Sequence, residues 1–317
     1  MKTMISRTAS CFLLMMFLST SFVQSEEKAK RYLIVHSDDA GMSHSVNLGT
    51  IDAMENGIVS SCSIMVPCPW FPEFAKYAKK NPEKDYGIHL TLNSEFPNYR
   101  WGPVAKPSEV PSLLDENGYL WDNVKQVMAH AKANEVKIEL KAQIDRAKKF
   151  GITLSHLDTH MGSSLCREDI LEVYVNLGVE YDLPIMFFKP YDMPIVKLGY
   201  PAAYKNGKQI LETLEKNNLP ALDMVYQFYS SGPYEKRKKT YLDAIKEMPA
   251  GVTEIIIHCG IQNPELSGIT GSVSLRNSDR LIFMDPNVIE EVDKLGVEVI
   301  TWKKFREMHI AAKNVSE

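Results

Sequence analysis

Short aliphatic and β-branched runs alternate with segments of helical periodicity along most of this chain. Tyr32–His36 is the first run that reads as a strand. A mixed apolar face follows it, formed by Val46, Leu48, Ile51, Ala53 and Met54, and Gly57 supplies a helix stop. Ser61–Val66, Gly87–Leu90, Thr153–Leu157, Pro184–Phe188, Leu222–Tyr226, Thr253–Ile257 and Val297–Thr301 continue the series to eight strands. Helical patterns separate them at Phe71–Lys80, Glu135–Phe150, Leu165–Leu177, Lys208–Asn217, Tyr234–Met248 and Pro286–Leu295. Strands that alternate with helices in this way predict a parallel sheet covered by helices. The expected fold is a TIM-like (β/α) barrel of seven or eight parallel strands.

One stretch breaks the rhythm. Residues 95–120 carry prolines at 97, 103, 107 and 111 and the aromatics Phe96, Tyr99, Trp101 and Tyr119, with little apolar periodicity. They predict a long loop after strand three. In a barrel such a loop lies over the active-site face, where its aromatics either wall a sugar site or pack on one another.

The start of the chain reads differently. Lys2 and Arg7 precede the apolar stretch Cys11–Leu18, and Val23-Gln24-Ser25 ends in a small residue before Glu26. That is the pattern of a secretory signal peptide over residues 1–25, leaving a single barrel domain over 26–317 and an exported, periplasmic or extracellular protein. No later stretch is long and apolar enough to span a bilayer. The net charge is −4 with acidic and basic residues interspersed, which argues against a nucleic-acid partner. Cys62, Cys68, Cys166 and Cys259 form no CxxC unit, and Cys62–Cys68 is the most local pair available for a disulfide.

Candidate chemistry sits at the strand ends. Asp38-Asp39 follows strand one, His89 ends strand three, His156, Asp158 and His160 leave strand four at alternate positions, and His258 follows strand seven. Parallel strands bring all of these to one rim, and the strand period of two puts His156, Asp158 and His160 on one face. Because burying polar groups in an apolar layer is costly, the expectation places all three at the polar top. Asp39, His89 and His160 make an Asp-His-His set suited to one divalent ion, which would acidify a water for attack on a carbonyl carbon. Asp38 is then the natural base and His258 a candidate acid, although spacing alone does not say which histidine does which job. Lys189, near the end of the fifth run, is either a substrate contact or a solvated side chain.

Five segments together resemble the YdjC-like carbohydrate deacetylases. They are Leu33–Ser43 (LIVHSDDAGMS), Asn56–Ser61 (NGIVSS), Gly87–Leu92 (GIHLTL), His156–His160 (HLDTH) and Ile257–Gly260 (IHCG). The resemblance implies a barrel related to polysaccharide deacetylases that removes acetyl groups from a small N-acetylated sugar or oligosaccharide. It implies a metal on Asp39, His89 and His160, either Mg or Zn, with Asp38 as base and His258 as acid. The chain departs from the family pattern at His36 (usually Asn), Ala40 (usually aromatic), Met161-Gly162 (often a His-rich run) and Cys259 (usually Pro). Two other readings keep the same cleft. One is a different metal-dependent amide, ester or phosphoester hydrolase, and the other a sugar-binding protein without turnover. The lack of a GxGxxG fingerprint after strand one argues against a nicotinamide enzyme.

Overall fold

The computed structural model describes residues 29–229 and 232–316. The predicted signal peptide lies outside the described residues. Among the described residues, seven parallel strands form a half-barrel: β1 (Arg31–Ala40), β2 (Ser61–Ile64), β3 (Tyr86–Leu90), β4 (His156–Thr159), β5 (Met224–Gln227), β6 (Gly251–Ile257) and β7 (Val297–Val299). The order across the sheet is β4-β3-β2-β1-β6-β5, with β7 added to β1. β6 flanks β1 on one side from Arg31 to Ser37. On the other side β7 pairs with Arg31–Leu33, and β2 takes over from His36.

The seven strands fall within the seven or eight that the alternation predicted, but they do not close into a TIM-like barrel. The fifth predicted run, Pro184–Phe188, forms only the single bridges Leu157↔Ile185 and Phe188↔Leu222. Pro184 O accepts from Leu157 N and Met186 N donates to Leu157 O, but by Phe187 the run has changed partner to Leu222. Two residues against each neighbour are too few to build a ladder. Strand four runs from His156 to Thr159, later than the expected Thr153–Leu157, so Asp158 lies within it rather than beyond it.

Alternation gives the sheet a polar inner face. His36 Nδ1 meets Ser61 Oγ at 3.0 Å, and its Nε2 meets Ser63 Oγ at 3.1 Å and Asp158 Oδ2 at 3.0 Å. Glu254 Oε1 lies 3.5 Å from His36 Nδ1 and 3.4 Å from Trp302 Nε1. His156 is fully buried here, bonded to Ser155 Oγ at 2.8 Å and stacked on Trp302. The expectation that His156 and Asp158 stay at a polar top is therefore corrected. The interior tolerates them because most of their polar atoms find partners, which removes most of the desolvation cost. Gly87 makes the room, since a Cβ there would lie 2.3 Å from His156 Nε2.

Beneath this layer, towards the strand starts, Ile34, Val252, Leu222 and Trp302 close the interior with apolar side chains. On the outer face Leu33, Val35, Ile64, Ile88, Leu157, Ile255 and Ile257 pack against helices through Phe71, Phe74, Leu140, Ile144 and Tyr174. The four described cysteines are buried free thiols, so Cys62 and Cys68 do not pair.

Residues 91–123 lead from β3 to the helix Val124–His130. They include the 3-10 turns Pro107–Glu109 and Pro111–Leu113. Glu139, from the helix Ala133–Lys149, holds this segment by accepting from Val104 N and Ala105 N, both at 2.9 Å. Trp101 is buried with its Nε1–H on Asn93 O, while Phe96 faces the cleft.

Candidate active site

The end of β1 departs from regular strand geometry at one residue. Asp39 has φ +71°, a left-handed value uncommon outside glycine, and the β1–β2 register shifts between Ser37 and Ala40. Adjacent strand residues normally point to opposite faces. The left-handed turn at Asp39 instead brings both neighbouring carboxylates to the inner rim. Gly41 follows at φ +88° and its N–H donates to Asn47 Oδ1 at 2.6 Å, fixing the turn.

Around that turn the structure gathers the five residues given a metal-binding or catalytic role from the sequence: Asp38, Asp39, His89, His160 and His258. Asp39 Oδ1 lies 3.4 Å from His89 Nε2 and 3.4 Å from His160 Nδ1. The three ligand-type atoms sit within 4.8 Å of one another and all three residues are buried. Asp38 Oδ2 lies 3.7 Å from His89 Nε2 and 3.8 Å from His258 Nε2.

Neighbours set the orientation of each imidazole. His89 Nδ1 is 2.8 Å from Asp158 Oδ1, so its Nδ1–H donates there and Nε2 is the nitrogen left facing Asp39. His160 Nε2 is 3.0 Å from Glu95 Oε2, which leaves Nδ1 as its open nitrogen. Asp39 Oδ2 accepts from Arg276 Nη2 at 2.6 Å, whereas Asp39 Oδ1 is buried without a hydrogen-bond partner. A buried, unpartnered carboxylate oxygen facing one ring nitrogen from each of two histidines is the arrangement a divalent cation would satisfy, displacing the protons those nitrogens carry without it.

The charges follow from these contacts. Burial opposes ionisation of Asp39, yet Arg276 and the neighbouring histidines hold its carboxyl well below the usual carboxylate range. Burial also opposes charge on His160, but Glu95 and Asp39 push its pKa up to about 10. Asp158, despite its burial, is kept far below the normal range by His89 and His36. His258 moves the other way, because burial lowers it more than Asp39 and Asp38 raise it. Glu254, lower in the interior, is raised by burial to about 8.

A cavity of about 470 Å³ opens onto this cluster. Met186, Phe188, Val225 and Ile256 give it an apolar wall, and Gln227, Thr270 and Ser272 give it neutral polar groups.

A family model for YdjC-like proteins matches residues 32–294. The chain belongs to the YdjC-like family. A YdjC-like relative from Thermus thermophilus, named carbohydrate deacetylase, is 31% identical over 283 residues, spanning 88% of this chain and 95% of its own. Another of that name, from Thermoanaerobacter pseudethanolicus, is 27% identical over 260 residues, 82% of this chain and 93% of its own. The crystal structure of a putative cellobiose-phosphate cleavage protein from Enterococcus faecalis superposes with a TM-score of 0.72. It is 26% identical, covering 87% of this chain and 99% of that one.

Two contributors to the YdjC-like site, Glu95 and Arg276, escaped the sequence reading, and a third, Asp158, was singled out there without a role. Glu95 lies in an irregular segment five residues past β3. Arg276 sits on the helix Val273–Ile282, whose alternating polar and apolar residues look like an ordinary surface helix. Asp158 belongs to the HLDTH motif, but its place between His89 and His36 needs the neighbouring strands to be visible. Lys189 is not in the cleft; its Nζ bonds Asp223 Oδ1 at 2.7 Å.

Proposed function

We propose that this YdjC-like protein is a metal-dependent deacetylase of small N-acetylated carbohydrates. The observation that carries the reading is Asp39 Oδ1, buried and unpartnered, at 3.4 Å from an open nitrogen on each of His89 and His160. Asp39, His89 and His160 would hold one divalent ion, Zn on the preference of imidazole ligands or Mg. When bound, the ion supplies Lewis-acid polarisation and a lowered pKa for water.

The protein's own groups then divide the work. Asp38 lies at the same rim, its Oδ1 3.3 Å from His36 Nε2 and its Oδ2 turned towards His89 and His258, so the carboxylate can take a proton from the attacking water. His258 Nε2, 3.8 Å from Asp38 Oδ2, is the group to deliver a proton to the departing amine. Its lowered pKa makes it a ready donor once protonated, because burial disfavours its charged form. Asp279 anchors that end of β6 by accepting from His258 N at 3.0 Å, and Arg237 and Tyr241 hold Asp279 in turn. The apolar wall at Phe188 and Val225 offers a surface for a sugar ring face, and Gln227, Thr270 and Ser272 offer partners for its hydroxyls.

The reading is tested by acetate release from N-acetylated mono- and disaccharides, using stripped protein to which single divalent ions are returned. Free acetate that appears only with an ion supports it. Saturable sugar binding without acetate under any divalent ion would instead favour a binding protein.

A further inference from the structure

We propose that the cleft selects an uncharged, short acetylated sugar and discriminates against a phosphorylated one. This rests on the deacetylase reading of the same cleft and adds the charge class and size of its substrate.

The cleft's charge balance points this way. Among the described residues that line it, Asp38, Asp39, Glu95 and Asp158 carry carboxylates, and Arg276 is the single Lys or Arg. Arg276 is already committed, with Nη2 on Asp39 Oδ2 at 2.6 Å and Nε on Ser272 Oγ at 3.1 Å. Its remaining Nη1 is buried without a hydrogen-bond partner, and the Asp39 carboxylate on Nη2 already offsets the charge of this guanidinium. The nearby Lys189 is spent on Asp223, and the undescribed positions 230 and 231 are serines, which add no charge. A divalent ion at Asp39, His89 and His160 would bring the cleft close to neutral, with no Lys or Arg beyond the Asp39-paired Arg276 among the described lining residues to hold a phosphate.

The remaining walls suit a neutral ligand. Gln227 at the end of β5, Thr270 and Ser272 can exchange hydrogen bonds with hydroxyls, and Phe188, Val225 and Met186 can take an apolar ring face. At about 470 Å³ the cavity lies in the lower part of the roughly 300–1,000 Å³ range of ligand sites, which favours one or two rings over a long chain. A phosphate dianion in that space would face Asp38 and Glu95 without a countercharge, and repulsion in a partly enclosed site is weakly screened.

The test uses the ion-loaded full chain with a neutral N-acetylated disaccharide and its 6-phosphate, reading both calorimetric binding and acetate release. The neutral sugar should bind at least about tenfold more tightly. Gln227→Lys, which adds a cation to the wall, should narrow the gap, and so should raised ionic strength on the unaltered protein. Equal or tighter binding of the phosphate by the unaltered protein would overturn the inference, whatever its turnover. Preference for the neutral sugar without acetate from either would uphold the charge selection and overturn only the deacetylase reading.

Discussion

Replacing Asp158 by Asn tests whether the layer beneath the rim governs the metal site. Asp158 Oδ1 accepts from His89 Nδ1 at 2.8 Å and Oδ2 from His36 Nε2 at 3.0 Å, all three side chains being buried. Asn has the same shape but offers one acceptor and one donor group. If its amide nitrogen turns to His89, Nδ1 must accept and the imidazole proton moves to Nε2, the atom that faces Asp39. If it turns to His36, that ring loses a charged partner instead. Charge-assisted hydrogen bonds contribute about 1.5–3 kcal/mol each. Losing the partner that orients a ligating histidine typically costs about 10–100-fold in metal affinity, or roughly 1.4–2.8 kcal/mol. The two scales agree. We expect divalent-ion affinity, measured by competition with a chelator, to fall about 10–100-fold, with activity partly restored by excess ion. Burial tends to raise the Asp158 carboxyl, but its two histidines keep it far below the normal range, so the loss should be similar at mildly acidic and neutral pH. A folded Asp158→Asn protein with unchanged ion affinity and turnover would refute the reasoning.

Three further outcomes are expected. Asp38→Asn and His258→Gln should each lower kcat by about 100-fold or more while metal content stays near that of the parent, since neither belongs to the proposed ligand set; ion loss from either folded variant would reassign the roles. In ion-free protein His160 titrates at about 10, against about 6.5 when unfolded, so its stabilising contribution is complete below about pH 6.5 and lost as pH rises towards 10. Denaturant titrations should therefore show ion-free stability falling across that window, with a shallower slope in His160→Gln; identical slopes would remove His160 as the cause. Gly87→Ala should destabilise by about 1–3 kcal/mol, because its Cβ would lie 2.3 Å from His156 Nε2 with Trp302 stacked on the same ring; an unchanged Tm would show that the interior can give way.

The rim was legible because strand ends of a parallel sheet converge: Asp38-Asp39 and His258 follow aliphatic runs, and His89 and His160 sit at the ends of shorter strands. Helices with strong stops were legible too: Phe71–Lys80 occurs as predicted, and the segment before Gly57 closes at Asn56. Pro184–Phe188 looks like a strand in composition, but its partners change after two residues, and ladder continuity is a property of neighbours rather than of the run itself. Glu254 sits in a β-branched strand where a carboxylate looks misplaced. Its burial makes sense only beside His36 and Trp302, which lie far away along the chain. Asp39 was singled out for its neighbours' pattern, yet the left-handed φ that turns it inward beside Asp38 leaves no mark in composition. Arg276 and Glu95 act through contacts across long chain separations, and neither lies in a recognisable motif.

The most direct test of the central claim is anomalous diffraction from crystals of the protein loaded with a single divalent transition metal, collected at that metal's absorption edge. The account predicts one strong peak bounded by Asp39 Oδ1, His89 Nε2 and His160 Nδ1. A fully loaded crystal with no peak there, or with its peak at another group of side chains, would contradict it.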